Sequence, residues 1–333
     1  MNINIWTTNK CNLNCTYCYE KSNRQKGTDN TTIMTTNNVI KWISSIANKY
    51  ESINFHGGEP LLNYKIIIYI TDFLKKKEIL PKKMGMTTNG TVWNEELKRY
   101  FQEYRDLYMY DMSISIDGTE KSHNTSRIAL DHTNSYKEMI ETKKELMNIF
   151  PNLRARMTVT TDNVTNLYEN VRHVAELGFN SIAPVLDIYD KSWNEDGMAC
   201  LKEEMLKIID YWRKNKYINI AFINDILYRR PKSKCQFSYN ISVEGDIYPC
   251  IDAVGREEFC IGNVRDGIRK GKVNELYHMV DSDYVFCKSC TNVRYCDNNR
   301  CKFINYAVEK SNDIPSKVGC RFEALKYEVS KYL

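Results

Sequence analysis

Six times in the first 214 residues, a short apolar or β-branched run is followed by a longer stretch with helical spacing. The runs are Ile3–Thr7, Ser52–Phe55, Lys83–Thr88, Tyr110–Ile116, Arg154–Thr160 and Ser181–Leu186. The helical stretches are Thr36–Lys49, Asn63–Lys77, Glu95–Glu103, Ser135–Ile149, Asn166–Leu177 and Glu195–Lys214, and Gly178 stands where a helix C-cap is expected. Parallel strands need long crossovers, and helices supply them, so the alternation predicts an α/β fold. Six units rather than eight predict a partial (β/α)6 TIM-like barrel, open on one side. An open doubly wound sheet is the main competitor. Both place ligands at the C-terminal ends of the strands.

After about residue 215 the strands shorten and turns multiply, as at Glu244-Gly245-Asp246, Val254-Gly255 and Gly262-Asn263. The expected division is therefore a barrel over 1–214 and a second region over 215–333, closed by a terminal helix at Phe322–Leu333. The cysteines divide the same way. Of 12, three are Cys11, Cys15 and Cys18, none lies between Cys18 and Cys200, and eight lie from Cys235 to Cys320. A loop-rich region with a modest apolar core and eight cysteines is expected to be held by metals.

Composition narrows the partners. With 42% hydrophobic and 27% charged residues the chain is a folded globular protein, and a net charge of +5 is far from the cationic stripe of a nucleic-acid binder. No apolar run is long enough to span a bilayer. Met1 leads straight into the alternating Asn2-Ile3-Asn4-Ile5-Trp6, without the n- and h-regions of a secretory signal. A cytoplasmic location is expected, without nucleic acid or membrane as partner. Thiols persist there and point to metal or redox chemistry. Asn23–Thr32 is polar and turn-rich and is expected to be mobile.

Cys11-x3-Cys15-x2-Cys18 follows the first strand directly. Iron–sulfur clusters are usually held by four thiolates, so three close ones suggest a [4Fe–4S] cluster with one iron open to a substrate or cofactor. A half zinc site completed by a distant ligand is the alternative. With Tyr17 before the third cysteine, this segment resembles the radical S-adenosylmethionine (SAM) enzymes. The resemblance implies that Cys11, Cys15 and Cys18 hold the catalytic cluster, that SAM chelates its open iron, and that Tyr17 lies near the adenine. A 5′-deoxyadenosyl radical then abstracts hydrogen from the substrate. His56-Gly57-Gly58-Glu59-Pro60, after the second strand, resembles the family's GGE motif, which binds the SAM amino group. Two glycines let a ligand approach the backbone, and Glu59 offers a carboxylate to the ammonium. Thr87-Thr88-Asn89-Gly90 resembles the family's TNG turn and makes Asn89 a SAM contact. Ser115 and Asp117, in Ser113–Gly118, are candidates for the SAM ribose or carboxylate. Arg127 is the candidate for the carboxylate, with Arg156 on the fifth strand as its rival. His56 either satisfies a buried backbone group or lines the substrate pocket.

The later cysteines form a second pattern. Cys235 precedes Gly245-x4-Cys250, then come Cys287-x2-Cys290-x5-Cys296-x4-Cys301 and Cys320. This resembles the SPASM extension of peptide-modifying radical SAM enzymes, which carries two auxiliary [4Fe–4S] clusters. The gap before Cys301 is four residues where the family has three, and Asp297-Asn298-Asn299-Arg300 is expected to absorb the extra one as a turn. By resemblance, Cys287, Cys290, Cys296 and Cys320 hold one auxiliary cluster, and Cys235, Cys250 and Cys301 the other. Cys260, placed on a strand, is the nearest candidate for its fourth ligand; an open iron is the alternative. Three clusters would occupy eleven cysteines and leave Cys200. Two zinc sites are the competing reading of this region.

The resemblance implies a peptide maturase that installs a thioether or carbon–carbon cross-link, or an oxidised residue, in a ribosomally made peptide. The alternatives are an anaerobic sulfatase maturase forming formylglycine, and a radical SAM/SPASM enzyme acting on a small molecule. In sulfatase maturases an aspartate base directly follows the second SPASM cysteine. Here Ile251 follows Cys250 and Asp252 comes one later, which on a strand turns the carboxylate to the other face and in a loop need not. Expected partners are a precursor peptide or protein and a reductant such as flavodoxin or ferredoxin; with the first strand starting at residue 2, leader recognition is expected to need either a separate leader-binding protein or the SPASM region itself. Lys21, Arg24 and Lys26 are candidates for an acidic leader.

Overall fold

The structure, a computed structural model, describes residues 1–21, 29–47, 49–228, 235–281, 287–293, 296 and 301–333. In chain order the barrel elements are β1 (Asn2–Thr8), α1 (Ile33–Ser45), β2 (Ser52–Gly57), α2 (Tyr64–Lys76), β3 (Lys83–Thr88), α3 (Glu95–Glu103), α4 (Arg105–Tyr108), β4 (Asp111–Ser115), α5 (Glu120–Ser126), α6 (Ser135–Ile149), β5 (Arg154–Val159), α7 (Leu167–Glu176), β6 (Ser181–Leu186) and α8 (Glu195–Lys214). They are followed by β7 (Asn219–Ile220), α9 (Ala221–Leu227), β8 (Tyr239–Ile241), β9 (Asp246–Tyr248), β10 (Gly262–Asn263), β11 (Gly267–Ile268), α10 (Lys270–Asp281), α11 (Lys302–Glu309) and α12 (Lys317–Val329). This is an α/β fold with a parallel-sheet core and a cysteine-rich C-terminal region.

The elements fall into two compact units. The first comprises Met1–Ser115, Arg127–Leu153 and Gln236–Leu276. Its strands run β11-β10-β9-β8-β1-β2-β3-β4. β1 pairs with β2, β2 with β3 and β3 with β4, all parallel, and β8 lies parallel on the other side of β1. β9, β10 and β11 add antiparallel strands. One face of this sheet carries Ile3, Ile5, Ile53, Phe55, Met84, Met86, Met112 and Ile114. All are buried together with Ile40 and Ile43 of α1 and Ile66, Ile67 and Ile70 of α2. Because side chains alternate, the opposite face is the polar one. There Asn54 Nδ2 donates to Asn4 Oδ1 at 2.9 Å, and Asn4 Nδ2 donates to Asn240 Oδ1 at 2.6 Å. This ladder of satisfied amides ties β2, β1 and β8 in one register.

Short polar side chains set the helix starts. Thr32, Asn94 and Asn134 accept from the backbone N–H of Thr35, Leu97 and Lys137. Each such cap contributes about 1 kcal/mol. The Thr32 cap explains why α1 begins at Ile33 rather than at Thr36.

The second unit comprises Ile116–Ser126, Arg154–Cys235 and Tyr277–Leu333. β5 pairs parallel with β6 from Arg154↔Ser181 to Val159↔Leu186. Two residues of β7 add a seventh parallel strand, too short to show a period in sequence. Gly178 takes a φ of 95° and donates to Ala175 O, as expected of the cap after α7. The terminal helix begins at Lys317, five residues before the expected Phe322, because Ser316 caps it through Gly319 N–H, and it ends at Val329. Cys320 therefore lies in its first turn.

Candidate active site

β1 ends at Thr8, and the loop after it is held from two sides. Gly58 N–H donates to Thr8 O at 3.0 Å and Glu59 N–H to Lys10 O at 2.8 Å. On the other side Leu13 bridges Ala129, Asn14 N–H donates to Ile128 O at 2.7 Å, and Leu130 N–H donates to Asn12 O at 3.0 Å. Leu13, Cys15 and Ala129 are buried together, and Cys11, Tyr17 and Cys18 pack against them. The loop thus gathers the three cysteines at the C-terminal end of a barrel strand.

Their surroundings fit a thiolate cluster. Cys11 Sγ accepts from Leu13 N–H at 3.4 Å and from Asn89 Nδ2 at 3.8 Å. N–H groups aimed at sulfur favour the charged form that binds metal.

The Gly57-Gly58 turn has a physical reason within the chain itself. A Cβ on Gly57 would stand 2.2 Å from Thr8 O, and one on Gly58 would stand 2.2 Å from Lys10 O. The glycines admit the chain's own β1 and cluster loop. The close approach is made by backbone, and it fixes where the cysteines sit.

Glu59 is 1% exposed. Its Oε1 accepts from Leu61 N–H at 3.1 Å and Thr88 Oγ1 at 2.8 Å, and its Oε2 from Asn89 N–H at 2.7 Å. It caps the 3-10 turn Pro60–Asn63 and clamps the end of β3. Burial pushes its carboxyl up to about 7; the three hydrogen bonds and the charge of Arg127 pull the other way. A carboxylate has about four lone-pair sites, and three are taken here, leaving one side of Oε2 for a further donor.

Asn89 reaches from β3 to the cluster loop. Its Nδ2 donates to Asn12 Oδ1 at 2.9 Å, and Asn12 Nδ2 donates to Thr91 Oγ1 at 2.6 Å. Asn12 and Thr91 were not singled out from sequence, and Thr88 entered only as part of the TNG turn. The Asx turn at Asn89-Gly90-Thr91, where Thr91 N–H donates to Asn89 Oδ1, was the available signal. Arg127 is buried with its guanidinium 5.4 Å from the Tyr17 ring centroid, and its carbonyl accepts from Ser135 Oγ. Its rival Arg156 is exposed on β5. Ser115 is buried at the end of β4. In the second unit Asp117 is buried and its Oδ1 accepts from Thr158 N–H at 2.9 Å. His56 stacks on Trp6, ring centroids 4.9 Å apart.

None of the twelve cysteines is disulfide-bonded. In the first unit Asp252 sits in the 3-10 turn Ile251–Ala253, and its Oδ2 accepts from Cys250 Sγ at 3.5 Å. The turn, unlike a strand, brings the carboxylate back to the thiol. Cys260 is not on a strand. It ends the 3-10 turn Glu257–Phe259, two residues before β10, and its Sγ donates to Gly262 O at 3.2 Å. In the second unit Cys320 is pushed up to about 11, by burial first and then by Cys296, Cys287 and Cys290. A bound metal would reverse that effect by favouring the thiolates. Cys290 N–H donates to Cys287 O across the intervening turn, and Cys301 is the N-cap of α11. Cys235 also belongs to this unit, as does Cys200, raised by burial and Glu204 on α8. Among the described residues no three His, Cys, Asp or Glu side chains converge as on a single ion; a four-iron cluster puts each thiolate on a different iron. Arg24, Lys26, the turn Asp297–Arg300 and residues 23–28 of the expected mobile segment lie outside the described residues. No helix among the described residues is long and apolar enough to cross a membrane.

Comparison with known proteins agrees with this geometry. The chain is 24% identical over 317 residues to the cysteine-type anaerobic sulfatase-maturating enzyme of Clostridium novyi, covering 85% of this chain and 83% of that one. The solved structure of native anSMEcpe with bound AdoMet superimposes with a TM-score of 0.82 at 18% identity, covering 100% of this chain and 97% of that chain. Streptococcus suis SuiB bound to its precursor peptide SuiA gives a TM-score of 0.65 at 17% identity, covering 96% and 75%. Residues 5–177, more than half of the chain, match the radical SAM superfamily, from β1 through α7. This chain belongs to the radical SAM superfamily and is an enzyme related to sulfatase maturases and peptide modifiers.

Proposed function

We propose that this enzyme is a peptide maturase that abstracts hydrogen from a residue of a ribosomally made peptide, leaving a thioether or carbon–carbon cross-link or an oxidised residue. The observation that carries the choice of a ribosomal peptide is the likeness to SuiB bound to precursor peptide SuiA. The length of the sulfatase-maturase similarity supports the enzyme class with its cysteine-rich extension: it covers 85% of the chain and so runs past the barrel into the cysteine-rich region. In this reading the chain divides at about residue 214 into a radical SAM barrel and a SPASM region.

Cys11, Cys15 and Cys18 would hold the catalytic [4Fe–4S] cluster. With SAM bound, that cluster would supply the single electron for reductive cleavage of the C5′–S bond, with methionine as the leaving group, and so the capacity to abstract a hydrogen atom from the substrate. The rest is positioning by the chain. Asn89 orients Cys11 through its Nδ2–H and braces the loop through Asn12. The free side of Glu59 Oε2 could accept from a donor such as the SAM ammonium, with Gly57 and Gly58 fixing the turn. Tyr17, packed against Arg127, would lie near the adenine, and the Arg127 guanidinium would pair with the SAM carboxylate. Ser115 and Asp117 would contact the ribose. Glu59, Asn89 and Arg127 are buried, which strengthens the charge interactions they make. Cys287, Cys290, Cys296 and Cys320 would hold one auxiliary cluster, and Cys235, Cys250 and Cys301 another, with Cys260 as a fourth ligand only if its thiol leaves Gly262. Asp252 is placed to take a proton near Cys250. A flavodoxin or ferredoxin would supply the electron, and a separate protein would present the leader.

Formylglycine formation in a sulfatase is the second reading, favoured by the Clostridium novyi similarity. The two are separated by substrate: a sulfatase-derived Cys or Ser peptide against peptides encoded beside the gene, with products read by mass spectrometry. The reading itself is tested by iron content and anaerobic SAM cleavage. Three clusters predict about 12 iron atoms per chain and one predicts about 4. Dithionite-dependent release of 5′-deoxyadenosine, lost in Cys15→Ala, is expected. Fully loaded protein that leaves SAM intact with every peptide tried would overturn it.

A further inference from the structure

Along β1, Asn4 and Trp6 lie on the polar face of the sheet and Thr8 ends the strand. Asn4 is paired within the amide ladder on that face. Thr8 Oγ1 donates to Asp29 O at 3.0 Å and accepts from Lys10 N–H at 3.0 Å. Trp6, between them, is different. Its side chain is 1% exposed, and among the described residues its indole Nε1–H has no hydrogen-bond partner. A buried donor left unpaired costs stability in the free protein, and native structures keep few of them.

The register shows what surrounds it. Trp6 pairs with His56 of β2, and the two rings stack with an interplanar angle of 20°. Phe55 pairs with Met86, and Thr87 pairs with Ser113, so Thr87 and Ser113 continue the same row across β3 and β4. The layer beneath is filled. Asn54 donates to Asn4 there, and a Cβ on Gly85 would stand 2.2 Å from Asn54 Oδ1. Above, β1 runs out at Thr8 into the loop of Cys11, Cys15 and Cys18. His56 is partly exposed, so on that side a single ring lies between the indole and solvent. An indole N–H only donates, so the atom that satisfies it is an acceptor. Backbone carbonyls recur along any extended peptide and are acceptors of that kind.

We propose that Trp6 is a substrate-binding residue whose Nε1–H donates to one backbone carbonyl of the bound peptide, with the His56 ring moving aside to admit it. The inference rests on the reading of this enzyme as a peptide maturase. The donor is unpaired in the free protein and paired in the complex, so it rewards only a chain that brings a carbonyl to that place.

The test combines Trp6→Phe, which keeps a ring and removes the N–H, with single thioamide replacements along the peptide, since C=S is a weaker acceptor than C=O. The probe is the peptide that the anaerobic assay shows to be modified, sulfatase-derived or encoded beside the gene. Affinity is read by anaerobic calorimetry on the iron-loaded, SAM-bound protein without reductant. In the parent, the thioamide at one position is expected to weaken binding by about threefold to tenfold, the value of one neutral hydrogen bond. Trp6→Phe is expected to weaken the unmodified peptide by a similar factor and to abolish the effect of that one thioamide. A purely structural role for the ring does not produce such coupling. If Trp6→Phe loses iron, benzothienylalanine at residue 6 keeps the shape, replaces the N–H by sulfur and reads the same coupling. Parental peptide affinity in the variant overturns the proposal and assigns the N–H to an internal water. Additive effects of the substitution and every thioamide overturn it too. A coupling lost in His56→Ala and kept in Trp6→Phe moves the contact to the imidazole and overturns it. A fall in SAM affinity with parental peptide affinity moves it to the cofactor and does the same. A parent that binds none of these peptides removes the maturase reading on which the proposal stands, and the parental titration distinguishes that failure from the others.

Discussion

Raising the pH forces a charge onto Glu59, and the fold resists it. The carboxyl is buried and pushed from 4.5 to about 7. In the unfolded chain it titrates near its ordinary value, so between about pH 4.5 and 7 the native state holds a proton that the unfolded state has released. The stability this proton confers is fully present below about pH 4.5 and is lost as pH rises through about 7. At about 1.36 kcal/mol per pH unit, the loss amounts to about 3 kcal/mol. The group is fully buried, so solvent screening does not reduce that figure. Glu59→Gln removes the titration. The amide also turns a donor toward Asn89 N–H, an offset of about 1–3 kcal/mol that does not vary with pH. Urea unfolding of the anaerobic protein, at several pH values from about 4.5 to 8, gives both curves. The expected result is a parent whose midpoint falls with pH relative to Glu59→Gln, flattening above about pH 7. Parallel curves would refute the reasoning. A parent that gains on the variant as pH rises would show that the hydrogen bonds from Leu61, Thr88 and Asn89 outweigh desolvation.

Gly58→Ala drives a Cβ to 2.2 Å from Lys10 O, next to Cys11. A cost of about 1–3 kcal/mol or more in stability is expected, together with loss of about 4 iron atoms per chain, read by urea unfolding and iron analysis. Arg127→Met should weaken SAM binding by roughly tenfold to a hundredfold, the value of a charge-assisted hydrogen bond, measured by anaerobic calorimetry. It should also move the Glu59 titration upward, because Arg127 lowers that pKa. Asn94→Ala removes the cap on Leu97 N–H, 2.9 Å away on α3. It should cost about 1 kcal/mol and leave SAM cleavage per bound iron unchanged.

Much of the barrel was legible because its period is strong. β3, β6, α3, α6 and α8 begin and end where the hydrophobic spacing places them. β7 and the short helices α4 and α9 carry too few residues to show a period, and Ser316 moves the start of α12 through a cap that hydropathy does not register. At the site, spacing alone gathers Cys11, Cys15 and Cys18. It does not reveal that Gly57 and Gly58 clear a path for the backbone of the cluster loop, a long-range contact between segments about 50 residues apart. The Asn12–Asn89–Thr91 network is likewise a fact of tertiary packing. Composition lists the polar groups but not the places where they meet.

The pairing of β8 with β1 has a consequence for biosynthesis. The Asn4–Asn240 hydrogen bond joins residues 236 apart in the chain. During translation the strand that leads into the cluster loop therefore keeps one edge unpaired until about three-quarters of the protein has left the ribosome. An open strand edge of that kind invites wrong partners, and closing so long a loop is slow. The strand that leads to Cys11, Cys15 and Cys18 completes its pairing only when the cysteine-rich region begins to emerge. Insertion of iron at Cys11, Cys15 and Cys18 before that moment would act on a half-built sheet.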